Sequence, residues 1–304
     1  MRSVKNEMME KQINNVVDYL NYIEILNQEY SATPLLNNPI NSQFLFRGME
    51  NSSYSLLPSI FRKVKTKQPY GEIENYKYLA LNKEIDILKN FIQEASTYSY
   101  NLNSVSQKFV RWLELAQHYG VPTRLLDWSN NPLVALYFAC ESNSQEEAIV
   151  WILHRGNYVK YISKEENRVN NKKKIEELIE ELLSESDVKE QETIMPKFPL
   201  IYTPYYFDNR MSAQGSWFMA WGTKNDALEN MVEDTYYMNL QDKEKNIHVY
   251  GQEQEEKFLF RFLIPKSNKQ SIMRQLDHIG INAKTLFPGL DGIGKYIERK
   301  YRFD

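Results

Sequence analysis

The segment from Trp112 to Cys140, WLELAQHYGVPTRLLDWSNNPLVALYFAC, leaves this chain few ways to fold. Trp112, Leu113, Leu115 and Ala116 recur at helical spacing, and Gly120 stands where a helix-ending residue belongs. Pro122 keeps that helix from resuming. Arg124-Leu-Leu-Asp-Trp128 is short, apolar and charged toward both ends, as suits a buried strand whose ends reach a cleft. Ser129 or Asn130 is suited to cap the next helix, with Pro132 near its first turn. Leu133 to Cys140 is almost wholly apolar and reads as a core helix.

The polar residues of this stretch carry the information about function. Gln117, His118, Arg124, Asp127 and Ser129 interleave with segments that must be buried. Buried polar and charged groups are costly unless paired. Two arrangements satisfy them: an internal Arg124–Asp127 ion pair that locks the turn with His118 beside it, or a ligand site.

A chain of 304 residues with 42% apolar and 25% charged residues has the composition of a globular protein with a sizeable core. Its 21 tyrosines and 14 phenylalanines supply both that core and a stacking cleft. A net charge of −3 argues against a dominant nucleic-acid or membrane footprint. The one cysteine, Cys140, has no intrachain disulfide partner and reads as a small core residue. The four histidines show no metal-ligand spacing, and no metal is expected. No run approaches membrane-spanning length, and no apolar signal-peptide core begins the chain, so a cytoplasmic protein is expected.

Elsewhere the pattern predicts strands over 43–47, 148–153, 215–221 and 257–264, beside the central 124–128. Helices are predicted over 6–28, 73–95 and the stretch opened by Ser267, with a closing helix carrying Ile293, Tyr296, Ile297 and Tyr301. Lys63, Lys65 and Lys67 lie in a basic connection, and Ser104 is placed as a helix cap. Residues 160–195 are dense in charge and read as a helical insertion. The expected organisation is an N-terminal helical segment over 1–42 and one domain over 43–304. Its fold class is α+β, a mixed, mostly antiparallel sheet surrounded by helices. Arg47 and Asp127, each a charge at the end of an apolar strand, are expected at one cleft on one face of the sheet. Phe198 to Phe207 can form an aromatic wall, with Tyr202, Tyr205 and Tyr206 as stacking candidates, and Gly215 interrupts a strand between Arg210 and the following apolar residues.

Four blocks resemble the FRG domain family: FLFRG at Phe44–Gly48 with LLPSIFR, then LAQHYGVPTRLLDWSNNPLVALYFA, then NRMSAQGSWF, then TLFPGLDG. A weaker similarity points to the ADP-ribosyltransferase fold. Phe46-Arg47-Gly48 is similar to its first motif, and Leu126-Asp127-Trp128-Ser129 with the helix after it to its second. Gln214 stands where its catalytic Glu should fall, and a neutral amide cannot stabilise developing positive charge as a carboxylate does. Glu253, Glu255 or Glu256 would then have to supply that charge.

The resemblance implies a nucleotide ligand, NAD first, and two readings of different class. In one the chain is an ADP-ribosyltransferase or NAD glycohydrolase of a bacterial or phage conflict system. Arg47, Asp127, Ser129 and Gln214 would be catalytic, and Arg47, Gly48, His118, Arg124 and Tyr205 would bind the cofactor. In the other it is a non-catalytic sensor for a nucleotide, nucleic acid or protein partner, with no role for a membrane. A His118–Asp127–Ser129 triad ranks below both.

Overall fold

The computed structural model describes residues 13–30, 43–62, 64–65, 76–77, 81–101, 108–142, 144–165, 177–178, 180–181, 196–222, 224–233, 247–250 and 257–302. At its centre is β1 (Phe44–Met49), whose residues alternate between two hydrophobic layers. Phe44 and Phe46 enter one layer, Leu45 and Met49 the other. On one side β1 pairs along its full length with β5 (Ala148–His154), from Phe44–His154 to Met49–Ile149. Every residue of β5 is buried, as its unbroken apolar run requires of a strand covered on both faces. β9 (Leu259–Ile264) and β8 (Ile247–Tyr250) extend the sheet beyond it. On the other side of β1 come β4 (Leu125–Ser129), β7 (Ser216–Ala220) and β6 (Leu200–Tyr202). All pairings in this seven-stranded sheet are antiparallel, so the expected mixed sheet is wholly antiparallel. β2 (Val64–Lys65) and β3 (Tyr76–Lys77) form a separate ribbon.

The contact between β1 and β4 differs from the rest. Its register holds only the Phe46–Ser129 pair among the described residues. Beyond that pair the two strands part, and the gap opens toward Arg47 and Asp127.

Helices cover the sheet according to their apolar faces. α1 (Val16–Tyr30), α4 (Pro132–Cys140), α8 (Lys266–His278) and α9 (Ala283–Leu286) bury theirs against Phe44, Phe46, Val150 and Phe262. α2 (Leu81–Ala95) and α3 (Phe109–His118) cover Leu125, Phe218 and Ala220. α5 (Arg155–Glu165) and α7 (Leu228–Glu233) close the opposite layer with the turn Ser59–Phe61. α6 (Asn209–Ala213) leads into β7, and α10 (Leu290–Arg302) closes the chain.

Several local expectations need correction. The cap of α4 is Asn131, whose side chain accepts from Leu133 N at 2.9 Å, rather than Ser129 or Asn130. α8 begins after Pro265, and Ser267 lies inside it. The charged insertion starts later than residue 160, because α5 runs to Glu165 and buries Ile162 in the core. Between 166 and 195 the insertion lies outside the described residues except for four positions, of which Glu180 accepts from Val110 N at 2.8 Å. Ser104, Lys63, Lys67, Glu253, Glu255 and Glu256 also lie outside them, as does the side chain of Lys65. Ile293, Ile297 and Tyr301 of α10 are exposed, and the helix seats itself through Gly292 and Tyr296 instead.

His154, at the end of β5, makes the fold sensitive to acid. It is 1% exposed among Tyr30, Phe44 and Phe260, and its Nδ1 accepts from Asn157 N at 3.1 Å. Burial, then Lys160 and Arg155, pull its pKa from 6.5 down to about 4. A depressed histidine contributes stability that is present above the unfolded value and lost as pH falls toward the folded one. Between about pH 7 and about pH 5 the loss should reach roughly 2 kcal/mol, at 1.36 kcal/mol per unit of pH. Urea unfolding of the protein and of His154→Gln at both pH values measures it. The variant should show a flatter profile, and parallel profiles would refute the assignment.

Candidate functional site

The gap between β1 and β4 is where the polar residues converge. Alternation places Arg47 with Leu45 and Met49, whereas Asp127 follows Leu125 toward the opposite layer. The expectation that both emerge on one face is therefore corrected: they meet through the gap in the sheet. Where backbone pairing stops, Arg47 Nη1 donates to the Asp127 main-chain carbonyl at 2.5 Å. The same nitrogen lies 3.9 Å from the Asp127 carboxylate, too far for a hydrogen bond. Arg47 thus replaces a missing rung of the ladder.

Its surroundings are unbalanced in charge. The Arg47 side chain is 17% exposed while that of Asp127 is 55% exposed. Burial lowers the Arg47 pKa to about 10, with Asp127 opposing and a second guanidinium, Arg62, adding to the fall. Arg62, held by a bond from its Nε to the Leu57 carbonyl at 3.0 Å, is likewise lowered by burial and also faces Asp127. Both guanidiniums line the cleft with Asp127, and only Arg47 lies within 4 Å of its carboxylate. Arg47 Nε is buried without an acceptor among the described residues, which costs free energy until a partner is found.

Asp127 is held from the other side. Thr123 Oγ1 donates to Gln117 Oε1 at 2.5 Å, and Gln117 Nε2 donates to the Asp127 carboxylate at 2.8 Å. The relay turns the amide so that its N–H can face only the aspartate. His118, one residue on, pairs with Asp208 at 3.4 Å and packs edge-on to Phe207. Burial lowers its pKa; Asp208 and Asp127 oppose that and Arg210 reinforces it.

Other predicted site residues have structural occupations. Arg124 is 1% exposed and turned away from the cleft. Its Nε and Nη2 donate to Glu84 Oε2 at 2.8 and 2.5 Å, and its Nη1 to the Trp221 carbonyl at 3.1 Å. It does not line the cleft, and its acidic partner is Glu84 of α2 rather than Asp127. Ser129 Oγ donates to the Gln214 main-chain carbonyl at 2.6 Å, so it ties β4 to the turn before β7 and completes no triad with His118. Gln214 lines the cleft, but its Nε2 donates to the Leu286 carbonyl at 3.0 Å. Gly215 follows with φ of +55°, and a Cβ there would strike Asn130. Gly48 admits the backbone of α4 and also lines the cleft. Tyr205 is 58% exposed under the Arg111 guanidinium at 4.7 Å, away from the cleft. Tyr206 donates to the Ser216 carbonyl at 3.0 Å, and Tyr202 is buried.

The cleft these residues border has a volume of about 1290 Å³ and runs from Arg47 and Arg62 past Asp127 to Arg210 and Lys295. Sequence reasoning missed Arg62 and Lys295 as cleft residues, although Arg62 ends the LLPSIFR block. Gln117 was visible as a polar residue in an apolar helix. Among the described residues no group of three or more His, Cys, Asp or Glu side chains is placed to hold a metal ion. No described helix is long and apolar enough to cross a membrane.

Residues 42–148 match the FRG domain. That segment is an FRG domain. It spans β1 to the start of β5, so it contains Arg47, Gln117, His118 and Asp127 and ends before Arg210, Gln214 and Lys295. Both sides of the β1–β4 gap thus belong to the FRG domain. No curated protein and no solved structure matches the chain.

Proposed function

We propose that the FRG cleft is a nucleotide-binding site that takes the ligand's phosphate at Arg47 and Arg62 and a ribose hydroxyl at Asp127. The observation that carries this reading is that Arg47 and Arg62 line one cleft beside Asp127, with Arg47 Nε still lacking an acceptor. An anion supplies the missing negative charge, and arginine's planar fork suits phosphate. Asp127, half exposed and oriented by Gln117, is an acceptor for a hydroxyl. NAD is the first ligand to test, because the ADP-ribosyltransferase resemblance points to it.

The site is read as a sensor rather than a transferase centre. Gln214 brings no carboxylate, its amide is committed to Leu286, and Arg47 and Asp127 do not share a face. The Asp127 carboxylate is the observation favouring the second reading, cleavage of the glycosidic bond of NAD, since it is fixed in the cleft and partly open. Calorimetry with AMP, ADP and NAD separates the possibilities. Arg62→Ala, at an exposed position, should weaken binding about tenfold with the fold intact, and Arg47→Ala by more. Binding without nicotinamide release selects the sensor, and release that disappears in Asp127→Asn selects cleavage. A folded protein that binds none of the three would refute the proposal.

A further inference from the structure

The cleft has a second cationic end that the phosphate site does not use. Arg210 of α6 and Lys295 of α10 lie 4.6 and 4.5 Å from the centre of the same ring, that of Phe287. Neither forms an ion pair with a carboxylate among the described residues, although both line the cleft. Arg299 adds a third cation, donating to the Glu141 carbonyl at 2.9 Å. The acids lining this end are Glu141 and Glu298, and Asp208 caps α6 beside Arg210, accepting the Arg210 main-chain N–H and pairing with His118. Glu141 is bonded to the Tyr137 hydroxyl, and burial raises its carboxyl against the pull of Lys295 and Arg299.

The parts of this end come from two sequence blocks that the first site leaves unexplained. NRMSAQGSWF supplies Arg210 and Gln214, and TLFPGLDG supplies Leu286 and Phe287. The bond from Gln214 Nε2 to the Leu286 carbonyl fastens one block to the other. Gly292 completes the seat, because a Cβ there would lie 1.9 Å from the Phe287 carbonyl. Phe287 is therefore rigidly placed, and the two cations resting on it lose little freedom when they bind. His118 lines the same cleft as Asp127 and Arg210.

We propose that Arg210 and Lys295, braced on Phe287, form a second anion subsite, so that the ligand of this cleft is a nucleotide with two separated phosphate groups. This deepens the nucleotide-binding reading and rests on it. Small ligands are favoured over nucleic acid because the chain as a whole is acidic, with net charge −3.

The test compares pairs of ligands that differ by one phosphate: AMP with adenosine 3′,5′-bisphosphate, and NAD with NADP. Calorimetry should show the second member of each pair binding about tenfold more tightly. In Arg210→Gln and in Lys295→Met that ratio should fall to about one, with thermal unfolding of each variant confirming the fold. AMP and NAD binding without any preference for the extra phosphate would overturn the second subsite and leave the first reading standing. Failure of all four ligands to bind would overturn both. A short single-stranded RNA that binds more tightly than any of the four would assign the cationic row to nucleic acid and overturn the small-ligand proposal.

Discussion

Glu84→Ala is expected to destabilise the protein by about 3–5 kcal/mol, the range for removing one partner of a buried ion pair. Glu84 is 1% exposed, as is Arg124, whose guanidinium it accepts from two nitrogens while its other oxygen takes the Arg124 main-chain N–H at 3.0 Å. Removing the carboxylate strands a guanidinium with only the Trp221 carbonyl for company. It also frees the start of β4, the strand that carries Asp127. The double variant Glu84→Leu/Arg124→Met removes both charges, so it should recover much of the loss. Urea unfolding of the three proteins measures this. A single-variant loss below about 1 kcal/mol would show that the charge finds water and is not sealed in the core.

Gly48→Ala should cost at least about 3 kcal/mol, the upper end of what overpacking a core exacts. A Cβ at this position would lie 1.7 Å from the Ala135 carbonyl and 2.7 Å from Ala139 N, both backbone atoms that no rotamer change can move. β1 and α4 must separate, and Arg47 moves with β1. Gly120→Ala is the control. That glycine has φ of +77° and open space around it, so its substitution costs only the left-handed strain of roughly 1 kcal/mol. Equal losses for the two variants would refute the packing account, because it assigns them different causes.

Both variants bear on function through the same element. The cleft exists because β1 and β4 pair at Phe46 and Ser129 and then part. The ion pair to Glu84 anchors β4, and the glycine contact with α4 anchors β1. Arg47 bridges the opening with a side-chain bond in place of a backbone one. The site is a deliberate break in the sheet, held open by strong structure on each side.

Much of this was open to reading in one dimension. The periodicity and punctuation of Trp112–Cys140 dictate a helix, a turn, a strand and a helix, and the structure has α3, β4 and α4 there. Apolar runs at Phe44, Ala148 and Leu259 become neighbouring strands because each must be covered on both faces. Arg47 and Asp127 were marked as strand-end charges that needed a partner, and they meet although 80 positions separate them.

Pairing was beyond the sequence wherever several partners were chemically equivalent. Arg124 required an acid, but Asp127, three residues away, and Glu84, on another helix, satisfy charge balance equally well. Only the packing of α2 onto β4 decides for Glu84, and that frees Asp127 for the cleft. Side-chain alternation put Arg47 and Asp127 on different layers, so a common cleft depends on where two strands stop pairing, which no residue pattern encodes. Arg210 and Lys295 are the extreme case, because 85 positions separate them and only the folded chain sets both against the ring of Phe287. Local propensity and burial are properties of a segment and are written in it; the choice of partner is a property of the assembled core, where geometry selects among chemically identical options.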